Sequence, residues 1–368
     1  MDCRHSSAPS SPQHEGSFSD SPTDLGTQRK MRSQAIPNRI SVVIATKDRG
    51  SAARRTIESV LCNPYADVEV ILVDQSVSDD TASSITPLLK DDRVRYFRSE
   101  TVGVSAAKNI ALQVAKGSII ACTDDDCEVP SDWLERIVRS FEESPQASVL
   151  FGSVDAAPHN DDGFIPAYSV QGRVLTNRLA RKHWLEGLGA CFAFRAALWD
   201  ELGGFDERLG AGGHFHSAEE VDFVVRALAI GRTVGETPEF GVVHFGFRRW
   251  DQADDLIKGH MCGLGAMAAK HVRLYRARYL YVLARLGIRW LFGRPVVDFQ
   301  HQPPRWMRLR AFLGGFGQGW RTDLGVNGLF APGVPARPKP SGSADRIQPD
   351  GARSEQVRAA NEAAGPHS

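Results

Sequence analysis

The feature that most constrains this chain is a set of short apolar, β-branched runs spaced by helical stretches. Ser41–Thr46, Val68–Val73 and Ser118–Thr123 are continuous apolar runs of strand length, Val94–Phe97 is a shorter one, and helical patterns fall between them at about 51–62, 79–90 and 103–116. Strands that are apolar throughout are buried on both faces, and such strands separated by helices make a parallel α/β sheet. A sheet of that kind takes its ligand beyond the carboxyl ends of the strands, where the strand order reverses. The residues that follow each strand are therefore the place to look for function.

Thr46-Lys47-Asp48-Arg49-Gly50 follows the first strand, Asp74-Gln75-Ser76-Val77-Ser78-Asp79-Asp80 the second, and Asp124-Asp125-Asp126 the last. Asp79 and Asp80 read as turn formers and helix caps. The triple Asp is different: three adjacent carboxylates repel unless water or a cation neutralises them, and these leave an apolar strand directly. A divalent metal site is the stronger of the two expectations. The chain has no GxxxxGK[ST] loop and no GxGxxG after a strand. With acidic rather than glycine-rich strand ends, Mg²⁺ or Mn²⁺ bridging carboxylates to a substrate diphosphate is the expected device.

The series ISVVIATKDR, VEVILVDQSVSDDT, GVSAAKNIALQVAKGSIIACTDDD and VPSDWL, continued by GLGACFAFRAALWDELGGFDERLG and SAEEVDFVVRAL, resembles the inverting family-2 glycosyltransferases, whose catalytic domain has the GT-A nucleotide-diphospho-sugar transferase fold. The likeness runs over about residues 38–250. It implies a GT-A-like, mostly parallel sheet flanked by helices, and transfer of a sugar from a nucleoside-diphosphate donor to a hydroxyl acceptor on a polysaccharide, lipid-linked glycan or other glycoconjugate. Carried over by residue, it implies that Thr46, Asp48 and Arg49 line the nucleotide pocket and that Asp74 receives the base. Lys108 and Asp125 belong with the donor. Asp124 and Asp126 match the DxD pair that holds Mn²⁺ or Mg²⁺, and His244 is placed like a third ligand. Lys108 stands where the family often has Arg, and Val73-Asp74-Gln75-Ser76-Val77-Ser78-Asp79 departs from the family's VDDGSTD.

Glu219-Glu220-Val221-Asp222 resembles the family's ED motif, which makes Glu220 the general base. Ser217-Ala218-Glu219-Glu220 is also an S-x-x-E capping box, in which Glu220 would only bond back to a backbone amide. The glycine-rich stretch before it, Gly210-Ala211-Gly212-Gly213, favours the base.

Residues 1–37 and 333–368 have few apolar side chains and are expected to be disordered tails. A basic helical extension at 251–332 is expected between the sheet domain and the second tail. Lys and Arg total 44 against 44 Asp and Glu, yet 256–310 holds eleven basic residues and only Asp298. That asymmetry points to an anionic membrane surface, with Arg278, Arg285 and Arg289 on one helical face, or else to a packed cap with Arg in water. No nucleic-acid motif accompanies it. No apolar run of 18 residues and no secretory leader occur, so a cytoplasmic protein, peripheral at the inner face of the plasma membrane, is expected. Met31 is an alternative start to Met1, and the six Cys read as reduced thiols, mostly core filler. A nucleotidyltransferase and a catalytically silent nucleotide-sugar-binding module remain as alternative functions.

Overall fold

The computed structural model describes residues 35–292 and 304–332. In chain order the elements that build the sheet and its flanks are β1 (Ile36–Thr46), α1 (Gly50–Leu61), β2 (Val68–Asp74), α2 (Asp80–Ile85), β3 (Val94–Arg98), α3 (Val104–Val114), β4 (Gly117–Thr123), β5 (Cys127–Glu128), α4 (Trp133–Glu143), β6 (Ala147–Ala156), β7 (Gly163–Phe164) and β8 (Val174–Thr176). They are followed by β9 (Cys191–Arg195), α5 (Ala197–Leu202), α6 (Glu219–Ala229), β10 (Thr233–His244), β11 (Arg248–Arg249), α7 (Trp250–Tyr275), α8 (Ala277–Phe292) and α9 (Arg305–Arg321).

The main sheet runs β3-β2-β1-β4-β9-β6-β10-β5, with β8 also on β10. Its first four strands are parallel, as their apolar runs predict. β9 then runs antiparallel to both β4 and β6, which makes the second half of the sheet mixed. All seven residues of β2 are buried. Alternation divides the strands between two cores: Val43, Ile71 and Val73 pack on one face with Leu112, Phe192 and Phe223, while Val42, Ile44, Val70 and Leu72 pack on the other with Ile57, Trp133 and Ile137. The chain runs outward from β1 to β3 and then crosses back to β4, so the switch point lies between the carboxyl ends of β1 and β4.

The C-terminal helices are part of this same compact unit. Tyr279 and Val282 of α8 are fully buried, and Leu283 and Leu286 pack against the same core as Phe192 and Phe223. One side of α8 is thus packed on the sheet domain, while Leu280 and Tyr281 on the same helix are exposed; the side chain of Arg289 lies outside the described residues. α9 crosses α7 at glycines so closely that a Cβ on Gly265 would lie 2.0 Å from the Phe312 carbonyl oxygen, and one on Gly315 2.0 Å from that of Cys262. Beneath them sits a buried ionic cluster. Lys270 Nζ on α7 is 2.5 Å from Asp206 Oδ2 and 2.6 Å from Asp222 Oδ1, and His271 Nε2 is 2.8 Å from the same Asp222 oxygen. Arg226 closes it with an Nε–Oδ2 bond of 2.9 Å to Asp222.

β1 begins at Ile36, inside the stretch read from sequence as tail. The remainder of that stretch and residues 333–368 lie outside the described residues.

Candidate active site

Each strand of the switch point delivers a polar side chain as its apolar run ends. Thr46, the last residue of β1, donates its hydroxyl to Asp125 Oδ2 at 2.7 Å, closing the gap between β1 and β4. Arg49 reaches over the same gap: Nη1 donates to Asp125 Oδ1 at 2.9 Å and to Asp126 Oδ2 at 2.8 Å. Asp48, with φ of 56°, turns the chain between them and ties its amide to Ser76 Oγ at 2.7 Å. Burial pushes the Asp125 carboxyl up to about 6 against the pull of Arg49 and Thr46.

Asp74 is fully buried. It accepts bonds from the Ser76 amide at 2.8 Å, from the Ser76 hydroxyl and from Tyr96 Oη at 2.9 Å. Its carboxylate therefore shapes the turn after β2 from below. Gln75 spends its amide on Thr101 Oγ1 at 2.9 Å and the Gly103 carbonyl at 3.1 Å.

Asp126 and His244 meet because β5 folds back on the end of β10, pairing Cys127 with His244. His244 Nε2 is 3.2 Å from Asp126 Oδ1, and Nδ1 is fixed by the Pro166 carbonyl at 2.9 Å. Burial alone would lower the His244 pKa, but Asp126 holds it above the ordinary value. Burial likewise works against the Asp126 charge, and His244 and Arg49 keep its carboxyl below the usual range.

One ligand atom each from Asp126, Cys127 and His244 lies within 4.8 Å of the others. Gly246 faces them without a side chain: a Cβ there would stand 2.4 Å from His244 Nε2 and 2.8 Å from Asp126 Oδ2. Carboxylate oxygens suit Mn²⁺ or Mg²⁺, imidazole suits first-row transition metals, and the thiol adds a softer donor. These residues fit a divalent cation. Asp124 stands beside this trio, half-buried at the exit of β4, where burial first and Asp126 among its neighbours raise its pKa against the pull of Lys108. Cys127 was counted among the core thiols by sequence, and the only signal for it was its place directly after the triple Asp.

The second half of the site comes from α3 and α6. Lys108 on α3 is buried between Phe192 and Phe205, 5.5 and 5.6 Å from their ring centres, and its Nζ bonds Glu219 Oε1 at 3.2 Å. Burial opposes its charge, and Glu219 more than offsets that; Asp124 and Glu220 act on it in the same direction. Lys108 thus lies in the fields of the β4-end acids and the α6 acids together. The fork that Arg would bring is replaced here by a point charge held on aromatic faces.

α6 begins at Glu219, with Ala218 as its N-cap in the left-handed region at φ of 77° and no side-chain cap. Ser217 turns its hydroxyl to His260 Nδ1 at 2.9 Å instead. The S-x-x-E capping box is therefore not formed, and the Glu220 carboxylate is not tied to the backbone of Ser217. It faces Gly189, where an added Cβ would be 3.4 Å from its carboxyl carbon. Burial, then the neighbouring Glu219, raise the Glu220 pKa above the ordinary range, while Lys108 keeps Glu219 ionised against burial. Asp222, one turn on, points away into the ionic cluster under α7.

Known proteins resemble this chain in both sequence and fold. Residues 41–203 match the family model described as Glycosyl transferase family 2. A glucosyl-dolichyl phosphate glucuronosyltransferase of Haloferax volcanii is 27% identical over 201 residues, which is 51% of this chain and 63% of that protein. The chain spans less than two thirds of the length of the curated relatives it matches. Among solved structures, S. aureus TarS 1–349 superposes with a TM-score of 0.54 at 16% identity, over 77% of this chain and 81% of that one. A Pyrobaculum calidifontis mannosyltransferase in complex with GDP-Man and Mn²⁺ gives 0.50 at 19%, over 77% and 86%. At these identities the structural likeness is one of fold.

Proposed function

We propose that the protein, whose residues 41–203 match the family-2 glycosyltransferase model within a GT-A-like α/β fold, transfers a sugar, with inversion, from a nucleoside-diphosphate donor to a hydroxyl of a lipid-linked acceptor. The observation that carries the reading is the meeting of two acid groups around one buried cation: Lys108 bonds Glu219 at the start of α6, with Glu220 beside it, and lies in the field of Asp124 at the end of β4. An inverting displacement needs charge neutralisation at the leaving diphosphate and a base on the opposite face of the sugar.

Thr46, Asp48 and Arg49 form the rim on which the nucleotide would lie. Arg49 is half-exposed and is the side chain best placed to meet phosphate oxygens. Asp126 and His244, with Cys127 at hand, would hold the divalent cation; bound there, it would neutralise the charge that develops on the diphosphate. Glu220 takes the proton from the acceptor hydroxyl as the new bond forms. Its raised pKa makes it a stronger base than a free carboxylate, and the ionised Glu219 beside it is kept in place by Lys108. Lipid-linked acceptors are supported by the dolichyl phosphate in the name of the Haloferax relative. Such an acceptor puts the enzyme at a bilayer surface, consistent with a peripheral protein on the cytoplasmic side.

The direct test is incubation with a panel of nucleotide sugars and Mn²⁺ or Mg²⁺, measuring release of nucleoside diphosphate with and without polyprenyl-phosphate-linked acceptors. Donor-selective release that rises with acceptor is the expected result. Release of pyrophosphate from nucleoside triphosphates instead would establish nucleotidyl transfer, and binding without turnover a silent module.

A further inference from the structure

α9 carries an apolar stripe that the fold leaves uncovered. Trp306, Leu309, Leu313 and Trp320 are 61, 46, 57 and 50% exposed. At 100° per residue they share a sector about 60° wide. The seam toward α7 is made by Gly315 and Gly319 with Phe312 and Phe316; Trp320 leans on it by stacking on Phe316 at 5.8 Å, and still keeps half of its surface exposed. Four large apolar side chains in one row on an otherwise well-packed unit mark a surface meant for contact.

The chemistry around the row selects the partner. The helix has Arg305, Arg308, Arg310 and Arg321 and no acid. Arg310 and Arg321 are exposed and follow the row on the side away from the seam. Tryptophan stands near each end of the row, and an indole favours the boundary between headgroups and acyl chains. At 17 residues the helix is about 26 Å long. None of the described helices is long and apolar enough to cross a membrane, so a helix of this make lies in the interface plane, its apolar row in the acyl boundary and its arginines among anionic headgroups.

We propose that this face of α9 is a docking surface for an anionic lipid bilayer. The basic interfacial helix thus moves from the segment around Arg278 and Arg285, where Tyr279 and Val282 are buried in the fold although Leu280 and Tyr281 stay exposed, to 305–321. For its purpose it rests on the lipid-linked acceptor reading, since a docked α9 would bring the site to its acceptor.

The test is sedimentation of the full chain with vesicles of phosphatidylcholine alone and of phosphatidylcholine with phosphatidylglycerol, no donor or acceptor present. We expect the wild type to bind the anionic vesicles about tenfold or more tightly than the neutral ones. Trp306→Ser with Trp320→Ser should lose about tenfold or more on anionic vesicles, and Arg310→Gln with Arg321→Gln should erase the preference between the two compositions. Both variants alter exposed residues and should keep the wild-type melting temperature. Equal or absent wild-type binding, or unchanged binding of the tryptophan variant, overturns the proposal. So does a wild-type dimer in analytical ultracentrifugation that the tryptophan variant abolishes, which would assign the face to a second copy. Glu220→Gln should sediment like wild type. Vesicle binding without any transfer to lipid-linked acceptors leaves the docking surface standing and removes the acceptor reading instead.

Discussion

At the scale of single residues, the site separates into side chains that strand ends announce and side chains that only folding brings in. The Asp triplet and Arg49 were legible because charged residues directly after apolar runs have few structural reasons to be there. Cys127 and the Lys108–Glu219 pair were not: a lone thiol reads as filler, and a contact across 111 residues leaves no local pattern. Likewise, spacing could not separate base from cap for Glu220, because that depends on where Ser217 points; only the glycine-rich stretch before it tipped the reading to the base. With the capping box absent, Glu220→Gln should lower kcat about 10²- to 10⁴-fold while donor affinity stays near wild type. Near-normal turnover would move the base to Glu219. The same residue sets a pH dependence. A base acts when deprotonated, and burial and Glu219 raise the Glu220 pKa, so kcat should climb with pH and level off above the free-carboxylate range, near 4.3. A kcat already flat from pH 5 upward would contradict this. Asp126→Asn should remove the cation dependence together with most of the activity, and EDTA should do the same to the wild type. Isothermal titration with Mn²⁺ in the absence of donor checks the ligand role independently of turnover, with weaker binding expected for Asp126→Asn and for His244→Ala.

At the scale of elements, the parallel half of the sheet followed from its apolar runs, whereas the antiparallel β9 and the helices of the extension depended on long-range partners. Two features of the helices invite measurement. Asp222 holds Lys270, Arg226 and His271 in a buried cluster, so Asp222→Asn leaves Arg226 without a carboxylate and Lys270 with Asp206 alone, and should cost about 3–5 kcal/mol, seen as a lower denaturation midpoint. The cluster also fixes a direction for acid sensitivity. Burial works against the Asp222 charge, but Lys270 and Arg226 depress its pKa far below that of a free Asp, so its stabilisation is complete above about pH 4 and is lost below. His271, held below its ordinary pKa by burial, acts in the same sense, since it protonates more readily unfolded and costs stability as pH falls through about 6.5. Stability should thus decline from neutral pH downward; in Asp222→Asn the part below about pH 4 should vanish, while the part near 6.5 should persist or steepen, because Asp222 is what opposes burial at His271. The α7–α9 seam is the second feature. Gly315→Leu places its side chain against the Cys262 carbonyl and should separate the helices, lowering the melting temperature, whereas the exposed Gly314, which has open space, should tolerate Ala.

At the scale of the whole molecule, the division drawn from composition, a catalytic domain followed by a basic extension, was coarser than the fold. Charge counts separate 251–332 from the rest, but Tyr279, Val282 and Phe330 are buried where the extension meets the sheet domain, and burial of that kind is invisible to a count. A chain ending before α9 should therefore expose the apolar cluster of Leu209, Phe215 and Met267 that Phe330 covers, and self-associate in size-exclusion chromatography where the full chain does not. The ionic cluster has a further consequence, which concerns the order of events during synthesis. Asp206 and Asp222 leave the ribosome long before Lys270, so for nearly fifty residues of elongation the two acids destined for the interior have no cation from α7 to receive them. Burying them early would leave an uncompensated charge, which costs several kcal/mol. The sheet can pair its strands as they emerge, but the Asp222 face of α6, and with it the final placement of Glu220, has to wait until α7 has been made. Nascent chains stalled near residue 250 should accordingly stay protease-sensitive around 206–222, and become protected once the stall point lies far enough downstream for Lys270 to clear the exit tunnel.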